Sequence, residues 1–138
     1  MSANEARTID EAAIRDLVVN WAKAVRNQDL NGILANHSQD ILMFDVPRPL
    51  QSRGIEEYKK TWDVFFAWAR DSGVFDIREM NVTAGNDVAF VTALMRCAGT
   101  EANGENTELD FRLTIGLCKV RDRWIVTHEH HSIPASDS

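Results

Sequence analysis

Hydrophobic residues recur at three- and four-residue spacing in the first half of the chain and at two-residue spacing in the second. Ile14, Leu17, Val18, Trp21 and Val25 form one apolar stripe, which predicts an amphipathic helix over 9–27. Thr8 with Glu11 three residues later reads as a capping box at its start, and Asn27-Gln28-Asp29 ends it. Asp29 is placed to cap a short second helix over 30–36. Ile41-Leu-Met-Phe-Asp45 predicts a short strand, and Pro47 and Pro49 predict a loop over 46–53. Gly54 opens a third helix, about 55–71, with Tyr58, Trp62, Phe65, Phe66 and Ala69 inward. Four strands follow over 74–83, 87–99, 107–120 and 123–132, separated by Gly85-Asn86, Asn103-Gly104 and Arg121-Asp122. Three helices followed by a mostly antiparallel sheet is an α+β layout. Long strands twist and curl, so a curved sheet wrapping over the helices is expected, with a pocket in its concavity.

At 138 residues the chain is expected to form one domain over 1–138, with a disordered tail over 135–138. Its 44% apolar and 26% charged residues are those of an ordinary globular protein. The formal net charge of −6, with no run of Lys or Arg, argues against nucleic acid and anionic membrane surfaces as partners. No apolar run approaches the length of a membrane span. Cys97 and Cys118 sit in apolar runs and read as buried free thiols, which fits a reducing compartment. The N-terminus lacks the apolar core of a secretion signal, so a cytoplasmic location is expected.

Candidate chemistry concentrates in the last strand, where three of the four histidines lie within four residues around Glu129. If Arg121-Asp122 is a two-residue turn, Val120 faces Arg123, Thr114 faces Glu129 and Arg112 faces His131. In that register Arg112, Thr114, Glu129 and His131 share one face, expected to look into the pocket or to form a solvated ladder. The opposite face holds Phe111, Leu113, Ile115, Leu117, Trp124, Val126, His128 and His130, an apolar wall expected at a packing or subunit surface. A one-residue slip would exchange the two sets. His128 and His130 on one strand face invite a metal reading, but Glu129 points away and no second ligand pair supports one, so no metal is expected. Asp45 ends an apolar strand at the mouth of the proline loop. Partial desolvation there suits a carboxylate to proton abstraction, and capping of the loop through its own backbone is the alternative. The aromatic residues of the third helix, Trp62 among them, and Trp21 of the first have the spacing of core positions.

The element order, the Ser52-Arg-Gly54 run after the proline loop, the strand from Phe111-Arg-Leu-Thr114 to Lys119, and the ending Trp124-x-x-x-His128-x-His130-x-Ser132-x-Pro134 together resemble the NTF2-like superfamily, in particular its SnoaL-like or ketosteroid-isomerase-like branch. The resemblance covers nearly the whole chain and implies a cone: three N-terminal helices packed in a curved, mostly antiparallel sheet. The association domain of calcium/calmodulin-dependent kinase II has a similar ending, with a cavity-lining arginine at the position of His131. Against ketosteroid isomerase, Asp45 falls where the base falls and Trp21 at or near the oxyanion-hole tyrosine. Thr114 or Gly116 falls near the second acid, so that oxyanion hole is not reproduced.

The resulting expectation is a small-molecule-binding protein, with a cofactor-independent acid–base enzyme of isomerase, cyclase or dehydratase type as its catalytic form. Asp45 would be the base and Arg112 or His131 the electrophile, with Trp21, Trp62, Thr114, Glu129, His128 and His130 around the ligand. The substrate would be a small apolar carbonyl or carboxylate compound. The alternative is a non-catalytic ligand-binding or assembly module. Under either reading a homodimer through the sheet face is expected, using Leu113, Ile115, Trp124 and Val126.

Overall fold

The computed structural model describes residues 1–136. Helix α1, Ala3–Arg26, starts six residues before the apolar stripe predicts. Ser2, not Thr8, is the cap: the Glu5 N–H donates to its side-chain oxygen at 3.1 Å. Thr8 lies inside the helix and donates to the Asn4 carbonyl. Residues 3–8 lack apolar periodicity, so the stripe could not register this first stretch, whereas Ser2 with Glu5 repeats the capping pattern of Thr8 with Glu11. Helix α2, Leu30–Leu34, is capped by Asp29, which accepts from the Gly32 N–H at 3.1 Å.

Strand β1, His37–Phe44, begins four residues before the predicted one. The two-residue strand β2, Ser52–Arg53, stands within the segment expected to be loop, paired with Leu42 and Met43 of β1. Helix α3, Ile55–Ala69, follows Gly54, whose φ of +89° is one that glycine adopts without strain. Tyr58, Thr61, Trp62 and Ala69 are its buried face. Strands β3 (Phe75–Ala84), β4 (Val88–Thr100), β5 (Asn106–Val120) and β6 (Arg123–Ser132) lie where period-two patterning places them.

The six strands form one curved open sheet in the order β2-β1-β6-β5-β4-β3, antiparallel except for the parallel β1–β6 pair. Helix α1 packs against β3, and α3 reaches from β1 to β4 across the same face. Their buried stripes meet Ile41, Met43, Val91, Met95, Leu113, Ile115, Leu117 and Val126 in the core. Among the described residues, no helix is long and apolar enough to cross a membrane. The tail residues 137–138 lie outside the described residues.

The β5–β6 hairpin sets the face of every candidate residue. Its turn has the expected form, with Arg121 and Asp122 both at positive φ (52° and 64°) and Val120 opposite Arg123. The pairing runs Leu117 to Val126 and then Gly116 to His128, leaving Thr127 unopposed as a β-bulge. Beyond it Ile115 faces Glu129, Thr114 faces His130, Leu113 faces His131 and Arg112 faces Ser132. The expected register is therefore corrected by one residue, and the predicted polar cluster is split between the two faces. Leu113, Ile115, Trp124 and Val126, expected at a dimer surface, are 6% exposed or less and form core.

Candidate functional site

Beneath α3, over the end of the sheet where β1, β6, β5 and β4 lie side by side, is a cavity of about 430 Å³. That volume suits a small organic ligand. Its wall is mostly apolar: Trp62, Phe65 and Trp68 from α3, Phe75 from β3, Cys97 from β4, Leu109 and Phe111 from β5, and Met43 from β1. Asp45, Thr61, Glu101, Thr107 and His131 supply the polar side chains.

Asp45 and His131 meet there because β1 and β6 are parallel neighbours, with Phe44 level with His130. His131 Nδ1 lies 3.9 Å from Asp45 Oδ1, too far for a direct hydrogen bond. Asp45 Oδ1 also accepts from the Val46 N–H at 2.8 Å, so the capping alternative describes a real contact of the same oxygen. Burial raises the Asp45 pKa above the ordinary aspartate value; the His131 ring and the Val46 N–H oppose this, and the Glu129 charge adds to it.

Behind His131 stands a buried network around Glu129, which is 0% exposed. Its Oε1 lies 3.2 Å from His131 Nε2. Its Oε2 accepts the Tyr58 hydroxyl at 2.6 Å and lies 2.8 Å from His37 Nε2. Trp21 Nε1 donates to the Tyr58 oxygen at 3.3 Å, and His37 Nδ1 lies 2.8 Å from the Ala35 carbonyl. The Ala35 carbonyl and the Glu129 carboxylate can only accept, so the His37 ring is fixed between two acceptors. Burial pushes the Glu129 carboxyl up, but hydrogen bonds from His131 and His37, together with their charges, outweigh it and hold the pKa at about 2. Burial and the neighbouring Glu129 charge raise the Tyr58 phenol well above its usual value. Glu129 thus accepts from His131 Nε2 and leaves Nδ1 as the ring atom turned toward Asp45.

The structure brings Asp45, His131 and Trp62 together at the cavity, with Trp21 and Glu129 one layer behind. It does not bring Arg112, Thr114, His128 or His130 there. The Thr127 bulge turns His128 and His130 onto the outer sheet face, beside Arg112 and Thr114. Arg112 is exposed and its Nε donates to Ser132 Oγ at 3.1 Å. His128 Nδ1 donates to the Leu42 carbonyl, and Phe44 packs edge-on against His128 and His130 at 4.9 and 5.3 Å. Among the described residues no three His, Cys, Asp or Glu side chains are grouped to hold a metal ion. Sequence reasoning missed His37, which it left between elements, and the role of Tyr58. A signal for Tyr58 was present: it is the chain's only tyrosine, it lies on a buried helix stripe, and a buried phenol needs a partner.

Comparison with known proteins agrees with this architecture. In a search of solved structures the chain is similar to an NTF2-like protein of unknown function from Pseudomonas putida KT2440, with 30% identity, 94% of this chain and 90% of that one covered, and a TM-score of 0.80. It shares its fold with a ketosteroid isomerase-like protein from Erwinia carotovora atroseptica SCRI1043 (21% identity, 89% and 95% covered, TM-score 0.73). The association domain of C. elegans CaMKII has the same fold (18% identity, 94% and 98% covered, TM-score 0.69). No curated protein matches the chain. The family model of the SnoaL-like domain matches residues 14–136, and the chain belongs to that family.

Proposed function

We propose that the protein binds a small, largely apolar carbonyl compound in this cavity and moves a proton on it without a cofactor. The observation that carries the reading is the Asp45–His131 pair, 3.9 Å apart at the wall of an apolar cavity. A gap of that size admits a substrate atom in contact with both groups. Asp45, made more basic by desolvation, takes a proton from the carbon next to the carbonyl. His131, held through Nε2 by Glu129, turns Nδ1 to the carbonyl oxygen and, when that nitrogen also carries a proton, donates it a hydrogen bond as negative charge develops there. Return of the same proton from Asp45 to another carbon completes an isomerisation, with atoms and charge balanced. Arg112 has no part in this reading, because its side chain stands on the other face of the sheet.

The test is solvent deuterium exchange at the α-carbon of a panel of enolisable ketones, followed by NMR. Exchange is expected with the wild type, and Asp45→Asn should lower its rate by about 10²–10⁴-fold. Unchanged exchange in that variant would remove Asp45 from the mechanism, and no exchange on any ketone would favour binding without chemistry.

We further propose a homodimer through the outer face of the sheet. Phe90 and Leu94 of β4, each 49% exposed, lie on that face and take the place of the residues now found in the core.

A further inference from the structure

The charge balance of the cavity points to a narrower class of ligand. Two carboxylates line it, Asp45 beside β1 and Glu101 after β4, and among the described lining residues there is no lysine or arginine. The arginines of the neighbouring strands are directed elsewhere. Arg96 pairs with Asp110 at 2.8 Å, and Arg112 binds Ser132, both on the outer face. His131, which could meet an anion, already faces Glu129 on one side and Asp45 on the other. An anionic ligand would therefore meet the half-buried Asp45 and the exposed Glu101 with no lysine or arginine among the lining residues to compensate.

The rest of the wall suits the opposite charge. Trp62, Phe65, Trp68, Phe75 and Phe111 bring five aromatic rings to one cavity, and aromatic rings attract cations through their faces. Trp68 and Glu101 are joined, the indole N–H donating to Glu101 Oε1 at 3.3 Å, so a ring and a carboxylate are presented side by side. Asp45 follows β1 and Glu101 follows β4, the two outer strands of the run β1-β6-β5-β4. Asp45 and His131, with Trp62 and Phe111 packed on the imidazole, form one part of the lining, and Trp68 with Glu101 forms another.

We infer that the ligand is an apolar cation, a protonated or quaternary amine whose charged group sits against Trp68 and Glu101. This rests on the cavity being the ligand site.

The experiment is calorimetric titration of the full chain with three probes of similar size: trimethyl(3-phenylpropyl)ammonium, the neutral N,N-dimethyl-4-phenylbutanamide, and 4-phenylbutanoate. The methyl resonance of Met43, which lines the cavity, reports occupancy, with exposed Met1 as its control. The ammonium probe is expected to bind about tenfold more tightly than the amide, with no detectable binding of the carboxylate. Glu101→Gln keeps an acceptor for Trp68 while removing the charge, and should cut the lead of the ammonium probe about threefold or more. Trp68→Leu tests the ring in the same way. Binding of the amide or the carboxylate as tightly as the ammonium probe overturns the inference and leaves the cavity as a ligand site. Silence from all three at millimolar concentration, with Met43 unmoved, overturns both.

Discussion

Glu129 is the residue on which the site's electrostatics turn. Its carboxyl pKa falls from 4.5 to about 2 on folding, through His131 and His37. A depressed folded-state value means that stability is fully present above the unfolded pKa and is lost as pH falls from about 4.5 toward 2, on the order of 3 kcal/mol in all. Urea titrations at stepped acid pH should show that loss for the wild type and a much flatter profile for Glu129→Gln. The same variant takes the charged acceptor away from buried Tyr58, His37 and His131 together and should cost about 3–5 kcal/mol at neutral pH. Asp45 has the opposite sign. Its raised pKa costs stability as pH rises through that value, so Asp45→Asn should keep or slightly raise the melting temperature while losing proton exchange. A fall of several degrees in that variant would show that the carboxylate supports the fold.

At the level of elements, much was legible and one feature was not. The Asp29 cap, the Arg121-Asp122 turn and the inward stripe of α3 each carry a local chemical signature, and each stands where that signature puts it. The bulge at Thr127 leaves no such trace. Residues 124–132 keep an alternating pattern with His and Glu on both parities, so either register fits the composition. Packing decides between them: the found register buries Trp124, Val126, Glu129 and His131 together. Deleting Thr127 removes the extra residue and leaves a regular ladder with the present pairs, His128 opposite Gly116 and Glu129 opposite Ile115. That variant should keep the Glu129 network and melt cooperatively, and loss of the cooperative melt would show that the bulge itself is needed to seat residues 128–132. Gly99 is a second such position. A Cβ there would stand 2.2–2.5 Å from the Trp68 ring, so Gly99→Ala should displace that ring and destabilise by about 1–3 kcal/mol in urea unfolding.

For the molecule as a whole, the α+β class follows from patterning, but the parallel placing of β1 beside β6 and the choice of wet sheet face do not, because they depend on where the helices settle. They cover the face that carries Leu113 and Ile115, leaving Phe90 and Leu94 outward with Val88 60% exposed beside them. Light scattering at micromolar concentration should give twice the 15.6 kDa chain mass, and Leu94→Glu should halve it. A wild-type monomer would remove the dimer.

The cavity also holds Cys97, whose thiol burial, with nearby Asp110 and Asp45, pushes up to about 12. Almost no thiolate exists there at neutral pH, and the protonated sulfur is a poor nucleophile. An enone, the conjugated product that many ketone isomerisations yield, can therefore rest against that sulfur without alkylating it. Soft electrophiles that poison cysteine enzymes would leave this thiol unmodified.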